Sequence, residues 1–297
     1  MTNQPAVICI GSVLWDIIGR CDLTMERGHD RPGRITRLPG GVALNIAMAL
    51  ARLGHRPALV SAVGRDAEGT DLLTACTALG LDCAHVWRSD QPTDRYMAIE
   101  GVNGLIAAIA DAHSLEAAGD KILTPLRQGP LGQAVAPYAG LIALDGNLTE
   151  ALLTQIATDP AFGAADLRVA PASPGKALRL RPFLMQSRGT LYVNLEEAGL
   201  LCDHRFDATP EAARALIAAG APRALVTDGA EITTDASAAG VVSLAPPRVD
   251  RVGRITGAGD TFMATHMDAE LRGMDRTSAL QCALRAAADY VSQEVGT

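Results

Sequence analysis

Short apolar runs of four to six residues alternate, along nearly the whole chain, with longer stretches whose apolar residues recur at helical spacing. A run that short and apolar throughout is stable as a strand covered on both faces. The stretches between then serve as the crossover helices that cover it, which is the plan of a parallel sheet in a layered α/β fold. Strand candidates are 6–11, 58–63, 141–145, 167–170, 190–193, 224–227 and 240–245; helix candidates are 42–53, 67–79, 149–157, 210–219, 258–272 and 275–293. Gly54, Gly80, Gly220 and Gly273 each fall just past a helical stretch, where a left-handed residue closes the last turn. With 297 residues and neither an internal repeat nor a low-complexity linker, the chain reads as one continuous domain over 1–297.

Two excursions break the alternation, at about 12–38 and 92–112. The first is polar and punctuated by Gly and Pro. The second contains two strand-like runs joined at Val102-Asn103-Gly104, and Asn-Gly is a strong hairpin signal. The two either pair into a small accessory sheet over the C-terminal ends of the core strands, where open α/β sheets bind ligands, or remain surface hairpins.

Composition removes several classes of function. The formal net charge is −7 and no Lys/Arg-rich run occurs, which argues against nucleic acid as the partner. No stretch is apolar for eighteen residues and the N-terminus lacks a basic leader, so neither a membrane span nor a signal peptide is expected and a cytoplasmic location follows. The six cysteines form no C-x-x-C and the six histidines no H-x-x-x-H, which predicts buried free thiols and gives a metal hydrolase no support. Only Lys121 and Lys176 are lysines, against 24 arginines.

The sharpest chemical motif is Thr256-Gly257-Ala258-Gly259-Asp260, directly before a helix. Glycines at a helix start let backbone N–H groups converge on one anion, and the helix dipole favours negative charge there. A carboxylate at the same end can accept a proton from an attacking hydroxyl, so the motif suits phosphoryl transfer. An ordinary Gly-rich turn, with Asp260 merely stabilising the helix dipole, fits the same residues. Neither a G-x-x-x-x-G-K-[ST] loop nor a G-x-G-x-x-G fingerprint is present, since Ala177 follows Lys176 and Phe262 stands in the last glycine's place. A second element, Gly40-Gly41 followed by Asn45, opens a helix and would admit a ligand close to the backbone, with Asn45 presenting an amide to a sugar hydroxyl. Asp16 is a lone carboxylate beyond the first strand.

Further elements stand between these: Val63-Gly64-Arg65-Asp66-Ala67-Glu68-Gly69, Asn194-Leu195-Glu196-Glu197 and Thr227-Asp228-Gly229. Together with Gly11 to Asp16, the Gly40 element and T-G-A-G-D at 256–260, they resemble the PfkB family of ribokinase-like sugar and nucleoside kinases over essentially the whole chain. The resemblance implies a three-layer α/β/α core with a mostly parallel sheet of nine or so strands and a small β-sheet lid. It implies ATP and Mg²⁺ as cofactors, with Asp260 as the base and Gly257, Ala258 and Gly259 as the anion hole. Asn194 and Glu197 would organise Mg²⁺ through water, Thr227 and Gly229 would lie near the nucleotide, and Asp16, Gly41 and Asn45 would contact ribose-type hydroxyls.

Thr93 to Tyr96 (T-x-x-Y), Ala108 to Asp111 (A-I-x-D), Asp145 and Asn147 (D-x-N) and Pro171 to Lys176 (P-x-S-x-x-K) resemble the pseudouridine kinases within that family. They imply Thr93, Tyr96, Asp111, Asp145, Asn147 and Lys176 as further substrate contacts, with Lys176 as a surface lysine the alternative. Another nucleoside or a free sugar is the rival acceptor, and a catalytically silent ligand-sensing relative the rival class. Departures from the family pattern include Ala170, Ile232 and Tyr192-Val193. Arg254 stands where many members carry Asp or Asn near a monovalent cation, which argues against potassium activation. Lid sheets in this family can pair two subunits, so a homodimer through the lid is also expected.

Overall fold

The computed structural model describes residues 4–26, 28–253 and 256–293. The chain runs β1 (Val7–Ile10), β2 (Leu14–Arg20), β3 (Arg34–Gly40), α1 (Val42–Arg52), β4 (Ala58–Val60), β5 (Ala62–Gly64), α2 (Ala67–Ala78), β6 (Trp87–Ser89), β7 (Arg95–Gly101), β8 (Gly104–Asp111), α3 (His113–Ala118) and α4 (Thr124–Arg127). It continues with β9 (Gln128–Gly129), β10 (Gly132–Gln133), β11 (Leu141–Asp145), α5 (Glu150–Thr158), β12 (Asp166–Ala170), α6 (Arg181–Met185), β13 (Thr190–Asn194), α7 (Leu195–Cys202), α8 (Thr209–Ala218), β14 (Arg223–Thr227), β15 (Thr233–Ser237), β16 (Gly240–Leu244), α9 (Ala258–Leu271) and α10 (Arg276–Ser292).

The main sheet among the described residues has eight strands in the order β16-β15-β14-β13-β12-β11-β1-β4. The six from β14 to β4 are parallel, and β15 and β16 extend the sheet antiparallel. Alternate residues of β1 show how the two faces are filled. Ile8 and Ile10 belong to the apolar layer that α5, α7 and α8 cover, whereas Val7 and Cys9 belong to the one that α1, α2, α9 and α10 cover. All six cysteines are free thiols, and Cys9, Cys21 and Cys76 are buried. The apolar run 58–63 divides at Ser61, whose hydroxyl donates to Gly11 O at 2.5 Å, so β4 joins the main sheet while β5 pairs with β6.

β15 and α7 have no counterpart among the sequence candidates. The β15 sequence Thr-Thr-Asp-Ala-Ser lacks an apolar run, yet Thr233, Thr234 and Asp235 are buried. Their polar atoms are matched inside the fold: Thr234 Oγ1 lies 2.9 Å from both Thr209 Oγ1 and Ser243 Oγ, and Asp235 is clamped by Arg223 and Arg276. A strand whose buried side chains are satisfied by partners distant in sequence leaves no hydrophobic signature.

Both excursions join one sheet, ordered β3-β2-β7-β8, with β2 and β7 parallel and the outer pairs antiparallel. This lid rests on α2. Trp15 Nε1 donates to Glu68 O at 3.0 Å, the Arg37 guanidinium lies 4.2 Å from the Trp15 ring centroid, and Arg95 pairs with Glu68 at 2.8 Å. Asp94 carboxylate oxygens accept from Ser114 N and Leu115 N, which fixes the start of α3 against the lid. No described helix is long and apolar enough to cross a membrane.

At the C-terminal half of α9, Glu270 bridges Arg168 and Arg223 at 2.5 Å each, and His266 Nδ1 lies 2.8 Å from the Tyr192 hydroxyl. These contacts bind α9 to β12, β13 and β14. Replacing Glu270 with Ala would leave two largely buried guanidinium groups short of a carboxylate. The expected loss is about 3 kcal/mol of unfolding free energy, read from the midpoint of a denaturant titration.

Candidate active site

The C-terminal ends of the parallel strands and the starts of α1 and α9 meet at one edge of the sheet, the edge at which open α/β sheets bind ligands. Helix α9 begins at Gly257, in the left-handed region with φ 92°, and no side chain caps it. The first intrahelical bond is Thr261 N to Gly257 O at 2.9 Å, so the amides of Ala258, Gly259 and Asp260 have no acceptor within the helix. A Cβ at Gly257 would strike the Tyr290 hydroxyl, whereas one at Gly259 would meet nothing within 4 Å. The turn is therefore tight behind and open in front, with three amides available for an anion.

Asp260 occupies the third position of α9, and Asn45 Nδ2 donates to its Oδ2 at 2.9 Å. Burial pushes the Asp260 carboxyl up to about 7; the Asn45 bond opposes that shift, while the charges of Asp145 and Asp16 add to it. Asp16, on β2, is raised to about 6 by burial. A Cβ at Gly40 would collide with the Asp16 carboxylate, so the paired glycines leave room for a carboxylate on one side. On the other side, Gly41 adopts φ 98° and a Cβ there would fall 2.6 Å from Ser12 O. Tyr96 is the parallel-register partner of Asp16 and shares its face of the lid; burial and the Asp16 charge raise its hydroxyl pKa.

Asp145, at the end of β11, is fully buried. Its Oδ2 accepts from Ser12 N, Ser12 Oγ and Ala43 N at 2.8, 2.5 and 3.2 Å, and its Oδ1 accepts from Asn147 N at 2.5 Å. Asn147 donates from Nδ2 to Ser12 Oγ at 3.0 Å and accepts from Lys176 Nζ through Oδ1. Lys176 is half-buried, and desolvation holds its ammonium below the ordinary lysine range. Ser12 gave no sequence signal beyond a polar residue after an apolar run, yet it ties three of these segments together.

Two expected contacts sit elsewhere. Thr93 is buried, its amide and hydroxyl both bound to the Asp66 carboxylate at 2.8 and 2.5 Å. Asp66 also caps α2 through Gly69 N, so Thr93 ties the root of the lid to that helix. Asp111 lies in register with Arg95, on the lid face opposite Asp16 and Tyr96, and pairs with His113 at 2.7 Å.

Asn194 and Thr227 end the adjacent strands β13 and β14 as direct partners, and Gly229 makes the exposed turn beyond with φ 53°. Asn194 caps α7 reciprocally with Glu197: each backbone amide donates to the other's side chain at 2.8 Å. Burial raises the Glu197 carboxyl to about 7, with the Asn194 amide bond opposing. One Glu197 oxygen takes no bond from the cap. No group of three His, Cys, Asp or Glu residues suited to direct metal ligation occurs among the described residues. This donor set fits a hydrated cation met through water and does not form a closed cage. Arg254 lies outside the described residues.

Comparison with known proteins identifies the fold and the family. The chain is 28% identical to the pseudouridine kinase of Escherichia coli over 271 residues, 89% of this chain and 83% of that protein. A carbohydrate kinase from Agrobacterium tumefaciens superimposes with a TM-score of 0.80 at 25% identity, covering 98% of this chain and 92% of the other. A ribokinase from Arabidopsis thaliana, solved with ribose and ATP, superimposes with a TM-score of 0.79 at 19% identity, covering 98% and 94%. Residues 4–297 match the description "pfkB family carbohydrate kinase". With an uncapped helix start, a carboxylate beside it and a lidded α/β core matched along its length, this chain belongs to the pfkB family of carbohydrate kinases.

Proposed function

We propose that the chain phosphorylates the 5′-hydroxyl of pseudouridine at the expense of ATP. The observation that carries the phosphoryl-transfer part is Asp260, held by Asn45 beside three unpaired amides of α9. Ionised Asp260 accepts the hydroxyl proton as that oxygen attacks the γ-phosphorus. The bond to the β-phosphate oxygen breaks, ADP leaves, and the amides of Ala258, Gly259 and Asp260 stabilise the charge on the transferring group. Mg²⁺, which would lie near Glu197 and Asn194, supplies further neutralisation of phosphate charge when bound. Thr227 and Gly229 line the nucleotide side, and Asp16, Gly41 and Asn45 address ribose hydroxyls. Tyr96 lies on the same lid face as Asp16. Lys176, presented by Asn147, offers a hydrogen-bond donor to a carbonyl edge of the base. Support for this acceptor is the 28% identity to a pseudouridine kinase together with the Asn147–Lys176 arm. A free sugar is the second reading, favoured because Asp16, Gly41 and Asn45 would serve ribose without any base.

ADP release measured across pseudouridine, uridine, adenosine, ribose and fructose separates the two. Pseudouridine is expected to give the highest kcat/KM, and Lys176→Ala to raise its KM about tenfold. Equal efficiency on ribose would assign the chain to free sugars, and no turnover on any acceptor would leave a ligand-binding protein.

Asp260→Asn should lower kcat about a thousandfold while acceptor binding remains measurable by calorimetry. Because the active form is ionised, log kcat/KM of the unmodified enzyme should fall with unit slope as the pH drops below about 7. The same shift acts on stability with the opposite sense. The folded state holds a proton on Asp260 up to about pH 7 that the unfolded state has already released, so this group removes stability as pH rises. Asp260→Asn removes that penalty, and its Tm at pH 8 should exceed that of the parent.

A further inference from the structure

The hydroxyl of Ser12 uses its whole hydrogen-bonding capacity inside the protein. It donates to Asp145 Oδ2 at 2.5 Å and accepts from Val42 N at 2.9 Å and Asn147 Nδ2 at 3.0 Å. Ser12 and Asp145 are both buried, and Gly11 leaves no space for a side chain because a Cβ there would fall 2.6 Å from Asp145 Oδ2. Ser12 and its partners belong to three segments far apart in sequence: the exit of β1, the start of α1 and the exit of β11. Asn147, with its amide nitrogen on Ser12 and its oxygen on Lys176, has both side-chain atoms engaged. Arg179 Nη1 binds the carbonyls of Asn147 and Leu148 at 3.0 and 3.2 Å, and its Nη2 reaches Glu116, which holds the same loop from outside.

We infer that Ser12 and Asp145 form a buried positioning pair that holds Lys176, through Asn147, in register with the Gly40–Gly41 turn at the acceptor end of the site. The inference rests on the reading of Lys176 as the arm that meets the acceptor. A buried serine hydroxyl shared among a carboxylate, a helix-start amide and a side-chain amide has one stable arrangement, because each alternative leaves a buried polar group unmatched. The distance between the sugar end of the site and the lysine arm is therefore set within the protein before the acceptor arrives. On this view Asp145 and Asn147 act on the acceptor through Lys176 and the turn.

Two measurements test the pair. In steady-state kinetics, Ser12→Ala and Lys176→Ala are each expected to raise acceptor KM about tenfold with KM for ATP unchanged. The double variant should fall well short of the product of the two losses. A combined loss equal to that product would overturn the inference. Asn147→Ala, at a half-buried position, carries the same expectation should Ser12→Ala fail to fold. The second measurement needs no acceptor and so survives a wrong assignment of the substrate. With ε-carbon-labelled lysine only Lys121 and Lys176 give signals. In Ser12→Ala and Asn147→Ala the Lys176 signal should titrate closer to the ordinary lysine range as the released arm reaches water. A Lys176 titration superimposable on that of the parent would mean that Ser12 does not position it.

Discussion

The hydrogen bond from Asn45 Nδ2 to Asp260 Oδ2, at 2.9 Å, joins the start of α1 to the start of α9, and the proposed chemistry of the site depends on it. A carboxylate withdrawn from water without any donor would hold its proton too tightly to act as a base near neutrality. One held by several charged donors would be too weak a base to take a proton from a hydroxyl. Burial with a single amide donor and two neighbouring carboxylates leaves Asp260 at about 7, between those limits. The geometry of α1 thus sets both the direction and the basicity of a group carried by α9. The glycine pair that opens α1 makes this possible: Gly40 leaves space for Asp16, and Gly41 lets the chain pass close to Ser12.

Helix α9 serves two different ends. Its N-terminal turn must keep amides unpaired, which by itself would leave that end poorly anchored. The compensating contacts lie further along the helix. There Glu270 joins Arg168 and Arg223, and burial together with those guanidinium groups keeps His266 neutral, its pKa pushed down to about 4, beside the Tyr192 hydroxyl. Phe262 and Met263 occupy the apolar layer between the two ends. Fixing the helix at its polar far end leaves the near end free to present amides without a side-chain cap. A net charge of −7 is compatible with the proposed phosphate chemistry for the same reason, since backbone dipoles at this helix start would meet the anion and few basic side chains would be required.

The parallel core was legible in the sequence because several of its strands are apolar nearly throughout, and the lid because Asn103-Gly104 marks a hairpin. The T-G-A-G-D motif located the helix start because its glycines stand directly before a stretch with helical spacing, and α9 begins there. What stayed hidden depends on pairings between distant residues. β15 contains no apolar run, and Thr234 and Asp235 are buried only because Thr209, Ser243, Arg223 and Arg276 meet them there. The family resemblance implied Asp145 and Thr93 as substrate contacts. A sequence does not say whether such a carboxylate or hydroxyl faces the cleft or the backbone, and here Ser12, Ala43 and Asn147 surround Asp145 while Asp66 holds Thr93.

The lid divides its labour by strand alternation. Successive residues of β2 face opposite sides, so Trp15 turns to α2 while Asp16 turns to the site, and β7 repeats the pattern with Arg95 and Tyr96. Anchoring residues and site-facing residues are therefore adjacent in sequence but separated in space by the thickness of the sheet. A shift of one residue in the register of β2 against β7 would exchange the two sets and lose both functions at once. The bond from Thr93 to Asp66 guards against that shift, because it fixes the entry to β7 on the cap of the helix that also receives Trp15. The same register places Tyr96 beside Asp16 on one face of the lid, and the pairing of β2 with β3 brings Asp16 over Gly40.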